Sequence, residues 1–453
     1  MLKETVGTAM KRLRREFYMI LSGLSADEEQ AMGDLREIAE CMEKNGYGKE
    51  CVEVYKSVRR LVVGASLRRH GFDAKKRTTT WLTSDWDSVE KKIISWMGFF
   101  RVAVKTIFSG ERFRSDYIFN FSDALKESCF SKTIGDIAEN FLAFPCIFAG
   151  AVKSMKINMV SPAVICRFLD LHSTLSDLLG DIKTIFSYTS TYAVQKKATA
   201  SINIVGKLIR SLLSQFESSI MKNTLPSAMS VVASGGIHPV TRYVMNYVVS
   251  IGDCITALSD IYINYPPLPE TFFQSTTTGN SNVSSRLAWI LLILLCKLDQ
   301  KSDLYKNPSL SYLFLSNNLQ FVVQKVRGSM FRYLLGERWL LENEKKAMHY
   351  MEKYVTGAWK KVIVAALPKF PATVELEAGK KMIGDFNLAF EEACGAQSGW
   401  VVEDISMREK VKNMIRRNIV EPYRGFCDVW FSTGSVQMSY FPVDIGIFID
   451  MVI

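Results

Sequence analysis

The chain has 453 residues, about three domain-sized units at roughly 150 residues each. Its 56 Lys and Arg against 46 Asp and Glu give a net charge of +10, but the excess is spread almost evenly along the chain. A nucleic-acid binder gathers its cations into one footprint, so that class is disfavoured. A composition of 48% hydrophobic and 23% charged residues excludes wholesale disorder.

Helical periodicity dominates from the first residues. Leu2, Val6, Met10, Leu13, Phe17, Ile20 and Leu21 recur every three or four positions, the spacing of one helix face. A second helix is predicted from about Ser84, with Asp87 three residues on, and its stripe runs Trp86, Val89, Ile93, Met97, Phe100, Val104, Phe108. Similar stripes cover Ile134–Phe148, Val164–Ile185, Val194–Phe216, Tyr243–Ile263, Leu287–Leu298, Ser311–Val326, Glu342–Leu367, Lys380–Cys394 and Ile405–Cys427. No stretch alternates with the period of two that a strand needs. Polar or Pro/Gly-bearing breaks fall at Lys75–Asp85, Ser227–Pro239, Pro266–Ser285 and Leu367–Gly379. The fold class is therefore all-α, long antiparallel helices in consecutive bundles or a solenoid. The expected organisation is an N-terminal bundle over 1–74 and a helical rod over 84–453, its last bundle at about 380–453.

Nine scattered cysteines with no Cys-x-x-Cys pair suit a reducing cytosol better than a disulfide framework. The N-terminus has no apolar core of a signal peptide. The most apolar run, Leu287–Cys296, is about ten residues where a span needs roughly twenty, and reads as a buried helix. No glycine follows Met1 and no cysteine lies near the end, so lipidation signals are missing and membrane contact would be peripheral.

Chemistry-bearing motifs are scarce. The four histidines, at 70, 172, 238 and 349, have no metal-spaced neighbours, and no phosphate loop, nucleophile elbow or Asp-rich magnesium motif occurs. No catalytic residue, cofactor or metal site is assigned. Gly235-Gly236 before His238-Pro239 reads as a loop ahead of a helix. Cys146 and Cys296 sit in apolar runs, where a thiol behaves as a small hydrophobe. Asn317-Asn318 interrupts an apolar helix, and buried amides need partners, so the pair is expected to tie this helix to a neighbour. Trp400 with Val401-Val402 looks like a packing anchor.

Basic clusters remain. In Ile405–Tyr423, Arg408, Lys412 and Arg416 form an i, i+4, i+8 row beside the apolar stripe, with Lys410 and Arg417 elsewhere on the helix. Such a row can meet anionic headgroups at about 1 kcal/mol per charge. The bland reading is a solvated face whose long stems cover the apolar seam, and it applies equally to Lys11–Arg15 and Arg68–Arg77.

Several segments together resemble the seventy-kilodalton subunit family of the exocyst vesicle-tethering complex, in its plant form. They are Gly46–Tyr55, Trp86–Phe108 with the following Ser-Gly-Glu-Arg, Gly236–Tyr247, Ser311–Arg327, Phe386–Glu392, Trp400–Val402 and the region from Arg408-Glu409 to Tyr423-Arg424. They occur in order over essentially the whole chain. The resemblance implies a rod of stacked helical bundles that helps tether secretory vesicles to the plasma membrane, and a cytoplasmic, peripherally membrane-bound protein that is not an enzyme. It implies as partners other exocyst subunits, a Rho-type small GTPase and phosphatidylinositol 4,5-bisphosphate. The candidate lipid contacts are Arg408, Lys410, Lys412, Arg416 and Arg417, joined by Lys380 and Lys381.

Set against the family, the chain starts inside the first helical unit, and SVQMSYFPVD stands where many relatives carry a lysine-flanked Tyr-x-Lys-Tyr-x-Pro-Glu-Asp. Ser316 replaces a usual hydrophobic residue. These departures keep open a diverged interaction protein in plant immunity, engaged by a pathogen effector or guarded by an immune receptor. A third class, an all-α enzyme such as a prenyl-chain cyclase, lacks its Asp-rich motif.

Overall fold

The computed structural model describes residues 2–23, 29–72, 85–155, 161–222, 232–263, 282–366, 376–432 and 439–453. Among them the chain forms α1 (Leu2–Gly23), α2 (Glu29–Lys44), α3 (Gly48–Arg69), α4 (Trp86–Val102), α5 (Ser109–Ile118), α6 (Asp123–Leu142), α7 (Phe144–Ser154), α8 (Pro162–Asp177), α9 (Leu179–Ile185) and α10 (Tyr192–Met221). There follow α11 (Pro239–Gly252), α12 (Ile255–Tyr262), α13 (Asn282–Ser302), α14 (Pro308–Arg327), α15 (Phe331–Ala358), α16 (Lys360–Ala366), α17 (Leu376–Ala396), α18 (Ile405–Ile415), α19 (Glu421–Ser432) and α20 (Pro442–Val452). No strand occurs among the described residues, as the periodicity requires. The predicted breaks at 75–84, 227–231, 266–281 and 367–375, and residues 435–438 of the altered C-terminal segment, lie outside the described residues.

Several single stripes in the sequence are two helices in the structure. The stripe Ile134–Phe148 divides between α6 and α7, where Pro145 in the first turn of α7 has no N–H to continue an earlier helix. Val164–Ile185 likewise divides at Leu178, and Tyr243–Ile263 between Gly252 and Ile255. Two π turns interrupt the ladder without breaking it, Ala103–Phe108 after α4 and Arg416–Val420 after α18. Inside α15, Gly336 takes φ 80° and kinks the helix.

The chain divides into two compact units, 1–214 and 215–453. In the first, α1–α3 enclose a core of Met10, Phe17, Leu21, Leu35, Tyr55 and Val58 that also takes in Ile118, Phe119 and Cys129. Beneath it lies an ionic knot: the Arg59 guanidinium grips Glu111, with one bond at 2.9 Å, and the Tyr55 hydroxyl donates to the same carboxylate at 3.1 Å. A second group of rings centres on Trp96, stacked on Phe100 at 4.5 Å and flanked by Phe141 and Phe148.

Two helical stretches here, Trp86–Ile118 and Asp123–Ser154, are long and apolar enough to cross a bilayer, and α11 with α12 would be a third despite an 81° bend. The apolar stripe of the first is spent on the unit's own core: Val89, Ile93, Trp96, Phe100, Val104 and Phe108 are buried, while Lys91 and Lys105 face outward.

In the second unit the α14–α20 region packs around Leu313, Met351, Tyr354, Trp359, Phe386, Ile415, Tyr423 and Trp430. Helix α17 approaches α19 so closely that a Cβ on Gly379 would fall 1.8 Å from the Trp430 ring, so this crossing requires glycine.

Candidate functional site

Helix α18 starts where Asp404 caps it, one carboxylate oxygen accepting from Met407 N–H at 2.8 Å and the other from the Gln324 amide of α14 at 2.6 Å. Acidic caps stabilise helix N-termini because they satisfy donors that have no partner within the helix. The segment leading into α18 is anchored from α14 by the asparagine pair. Asn317 donates to the carbonyls of Gly235 and Val401 at 2.8 and 2.7 Å, and accepts from Glu403 N–H at 3.1 Å. Asn318 donates to Gly236 and Phe314 carbonyls at 3.2 and 2.7 Å. Val401 N–H completes the knot on Ser234 carbonyl at 3.0 Å. The predicted tie is therefore real: it reaches the neighbouring α11 through the Thr241 hydroxyl, and it also runs to two loops, the Gly-Gly-x-His-Pro turn and the Trp400–Asp404 segment. Gly235 has φ +68° and its Cβ position lies 2.8 Å from Leu310, so this loop needs a residue without a side chain. Trp400, half-buried, packs against Tyr354, as an anchor should.

The predicted basic row divides by what each cation meets. The Arg408 guanidinium donates twice to the Val402 carbonyl, at 3.2 and 2.8 Å. Lys412, with a side chain only 14% exposed, stands 3.4 Å from Asp450 and 3.8 Å from Glu409. Arg416 reaches both oxygens of Asp450 at 2.7 and 2.9 Å. Lys412 and Arg416 thus clamp α20 onto α18, while Arg408 ties α18 to the segment before it. The key acid, Asp450, lies 34 residues beyond Arg416, and no spacing rule links them.

Lys410 and Arg417 are exposed, with no carboxylate in ion-pair range among the described residues. Arg417 borders a groove of about 540 Å³ with Met348, Glu352, Thr356 and Asn413. On α17, Lys380 makes a surface pair with Glu377 at 3.2 Å, worth at most about 1 kcal/mol, and Lys381 is exposed. The geometry commits Arg408, Lys412 and Arg416 to the fold, and leaves Lys410, Arg417 and Lys381 open to an anion. Among the described residues no group of three or more His, Cys, Asp or Glu could hold a metal ion.

Residues 94–447 match the family described as the C-terminal region of Exo70, an exocyst complex component. Among relatives, the chain is 27% identical to exocyst complex component EXO70A1 of Arabidopsis thaliana over 405 residues, covering 86% of this chain and 60% of that one. It is 29% identical to EXO70B1 of the same plant over 413 residues, covering 89% and 62%. The chain thus spans about three fifths of the length of these curated relatives. The crystal structure of the S. cerevisiae exocyst component Exo70p is similar in fold, with a TM-score of 0.61 at 15% identity, covering 100% of this chain and 89% of that one.

Proposed function

This chain belongs to the Exo70 family of exocyst components, and from that membership we propose that it works as an exocyst-type tethering protein, holding secretory vesicles at the plasma membrane. The observation that carries the reading is the family match running from α4 into α20. Other exocyst subunits and a Rho-type small GTPase are the proposed protein partners, and phosphatidylinositol 4,5-bisphosphate the proposed lipid.

The lipid contact is assigned to the C-terminal cations, with the exposed ones making it directly. Lys410, Arg417 and Lys381 can meet headgroup phosphates without breaking anything, and Lys380 need only leave a weak surface pair. Arg408, Lys412 and Arg416 would first have to give up bonds within the fold, so in this reading they shape the surface rather than touch it.

Affinity purification of the tagged protein from its own tissue tests the tethering reading: stoichiometric recovery of the other exocyst subunits is expected. Recovery without them would instead favour the immunity-type interaction protein.

A further inference from the structure

The strongest unexplained surface lies at the other end of the chain, on α1 and α3. One face of α1 turns Met10, Phe17 and Leu21 into the core. Flanking that face, Lys11, Arg14, Arg15, Tyr18 and Met19 lie along a groove whose far wall is Val54 and Ser57 of α3, enclosing about 630 Å³. The two helices run in the same direction: a Cβ on Gly7 would stand 3.9 Å from the Tyr47 hydroxyl at one end, and the groove continues toward Met19. Leu61, exposed, follows Ser57 by one turn on the same face of α3.

This groove is divided along its length. Its first half carries three cations, none of which has a carboxylate within ion-pair range among the described residues. Its second half carries large apolar groups in water, Tyr18 at 50% and Met19 at 70% exposure, with Leu61 of α3 at 68% one turn beyond Ser57. Some cations elsewhere on this unit are paired, Arg60 with Asp136 and Lys56 with Glu53, whereas here three unpaired ones stand within one and a half turns of a single helix. Clustered unpaired like charges beside exposed apolar side chains mark a surface that something else covers.

The walls also limit what can bind. Both are helices, whose mid-segment N–H and C=O groups are already paired within the helix. An extended peptide would find no backbone edge to bond with and would lose the hydration of its own amides. A helix arrives with its backbone satisfied and presents an apolar stripe at i, i+3, i+4 and i+7.

We propose that the α1–α3 groove docks an amphipathic helix of a partner protein, with acidic residues against Lys11, Arg14 and Arg15 and apolar residues against Tyr18, Met19 and Leu61. This goes beyond the tethering reading and uses none of its residues, so either can fail alone.

The test uses the full chain and a fluorescein-labelled 18-residue peptide, leucine at the stripe positions and glutamate on both flanks. Fluorescence anisotropy follows its binding beside a scrambled peptide of equal composition and vesicles containing phosphatidylinositol 4,5-bisphosphate. Saturable binding is expected, weakened at least tenfold by Lys11→Glu/Arg14→Glu/Arg15→Glu, and comparably by Met19→Asp/Leu61→Asp. These positions are solvent-facing, and circular dichroism would verify that each variant keeps its helix content. Equal binding of the scrambled peptide, indifference to both variants, or no binding at all would overturn the proposal. So would a vesicle affinity that alone collapses in the triple variant, which would make the groove a lipid contact.

Discussion

The side-chain carbonyl of Asn318 on α14 accepts two hydrogen bonds from one short piece of chain, the His238 N–H at 2.9 Å and the Thr241 hydroxyl at 2.6 Å. Both donors are buried. Asn318→Leu would strand them together with the Gly236 carbonyl, at about 1–3 kcal/mol for each buried group left unmade. A total loss on the order of 4 kcal/mol is expected in urea unfolding. Ser316→Ala serves as the comparison: it removes a single bond, to the Ala347 carbonyl at 2.8 Å, and should cost about 1 kcal/mol.

For the lipid contact, Lys410→Gln/Arg417→Gln should lower partitioning onto phosphoinositide vesicles roughly thirtyfold, at about 1 kcal/mol per cation. Asp450→Asn should act in the opposite direction, because it releases Lys412 and Arg416 from their carboxylate. Sedimentation unaffected by either change would remove the assignment. Arg408→Gln is expected to lower the melting temperature more than it lowers lipid binding, since its guanidinium holds the Val402 carbonyl.

The Arg59–Glu111 pair is almost fully enclosed, with side chains 8% and 2% exposed. Glu111→Ala leaves a buried guanidinium unanswered and should cost about 3–5 kcal/mol. Replacing both partners, Arg59→Met with Glu111→Leu, should recover part of that loss, since the Tyr55 hydroxyl and the Arg114 guanidinium still lose their carboxylate. Thermal unfolding of the parent and the two variants decides it; equal damage in the single and double variants would count against the ionic explanation.

Thiol labelling should divide the cysteines by burial. Burial pushes the Cys51 and Cys427 thiols up to about 12, and Cys129 well above its ordinary value, so all three should resist maleimide at a pH of about 7.5. Cys41 and Cys296 are exposed and should react first, as intact-mass measurements would show.

Glu217 provides a pH test. Burial raises its carboxyl above the ordinary 4.5, against the partial relief of Arg286 at 3.1 Å. The folded chain therefore binds this proton more tightly than the unfolded one, and the group's contribution is fully present below the ordinary value of 4.5. It is lost as pH climbs from there through the raised value. Glu217→Gln should flatten the stability profile across that window. An unchanged slope would mean the carboxyl titrates alike in both states.

Helix faces were legible because burial repeats with the helical period. In α1, Met10, Phe17 and Leu21 are buried and Val6, Leu13 and Ile20 packed against the same core, as spacing alone predicts. The apolar run Leu287–Cys296, expected to be a buried helix, buries Leu287, Ala288, Ile290, Leu291, Ile293 and Leu294 but leaves Cys296 exposed, because a one-letter run does not reveal which face of α13 a neighbour covers. The asparagine pair was legible as buried and bonded, but its partners are mostly backbone atoms about eighty residues away in two directions. Backbone acceptors leave no trace in composition. The basic row was legible as a row; that its three members are held within the fold depends on Val402 and on Asp450 of a different helix.

The π turn at Arg416–Val420 places one additional residue in the coil. An α-helix advances about 100° per residue, so everything after Val420 is rotated by about that angle relative to an uninterrupted helix. That phase turns Tyr423, Phe426 and Trp430 inward, with Tyr423 stacked on Phe386 at 4.0 Å. Chain length between Arg416 and Val420 is thus under a stricter demand than the identity of its outward-facing side chains. Single substitutions at those outward positions alter a surface, whereas loss of one residue would swing three aromatic rings toward water and unseat α17 from α19.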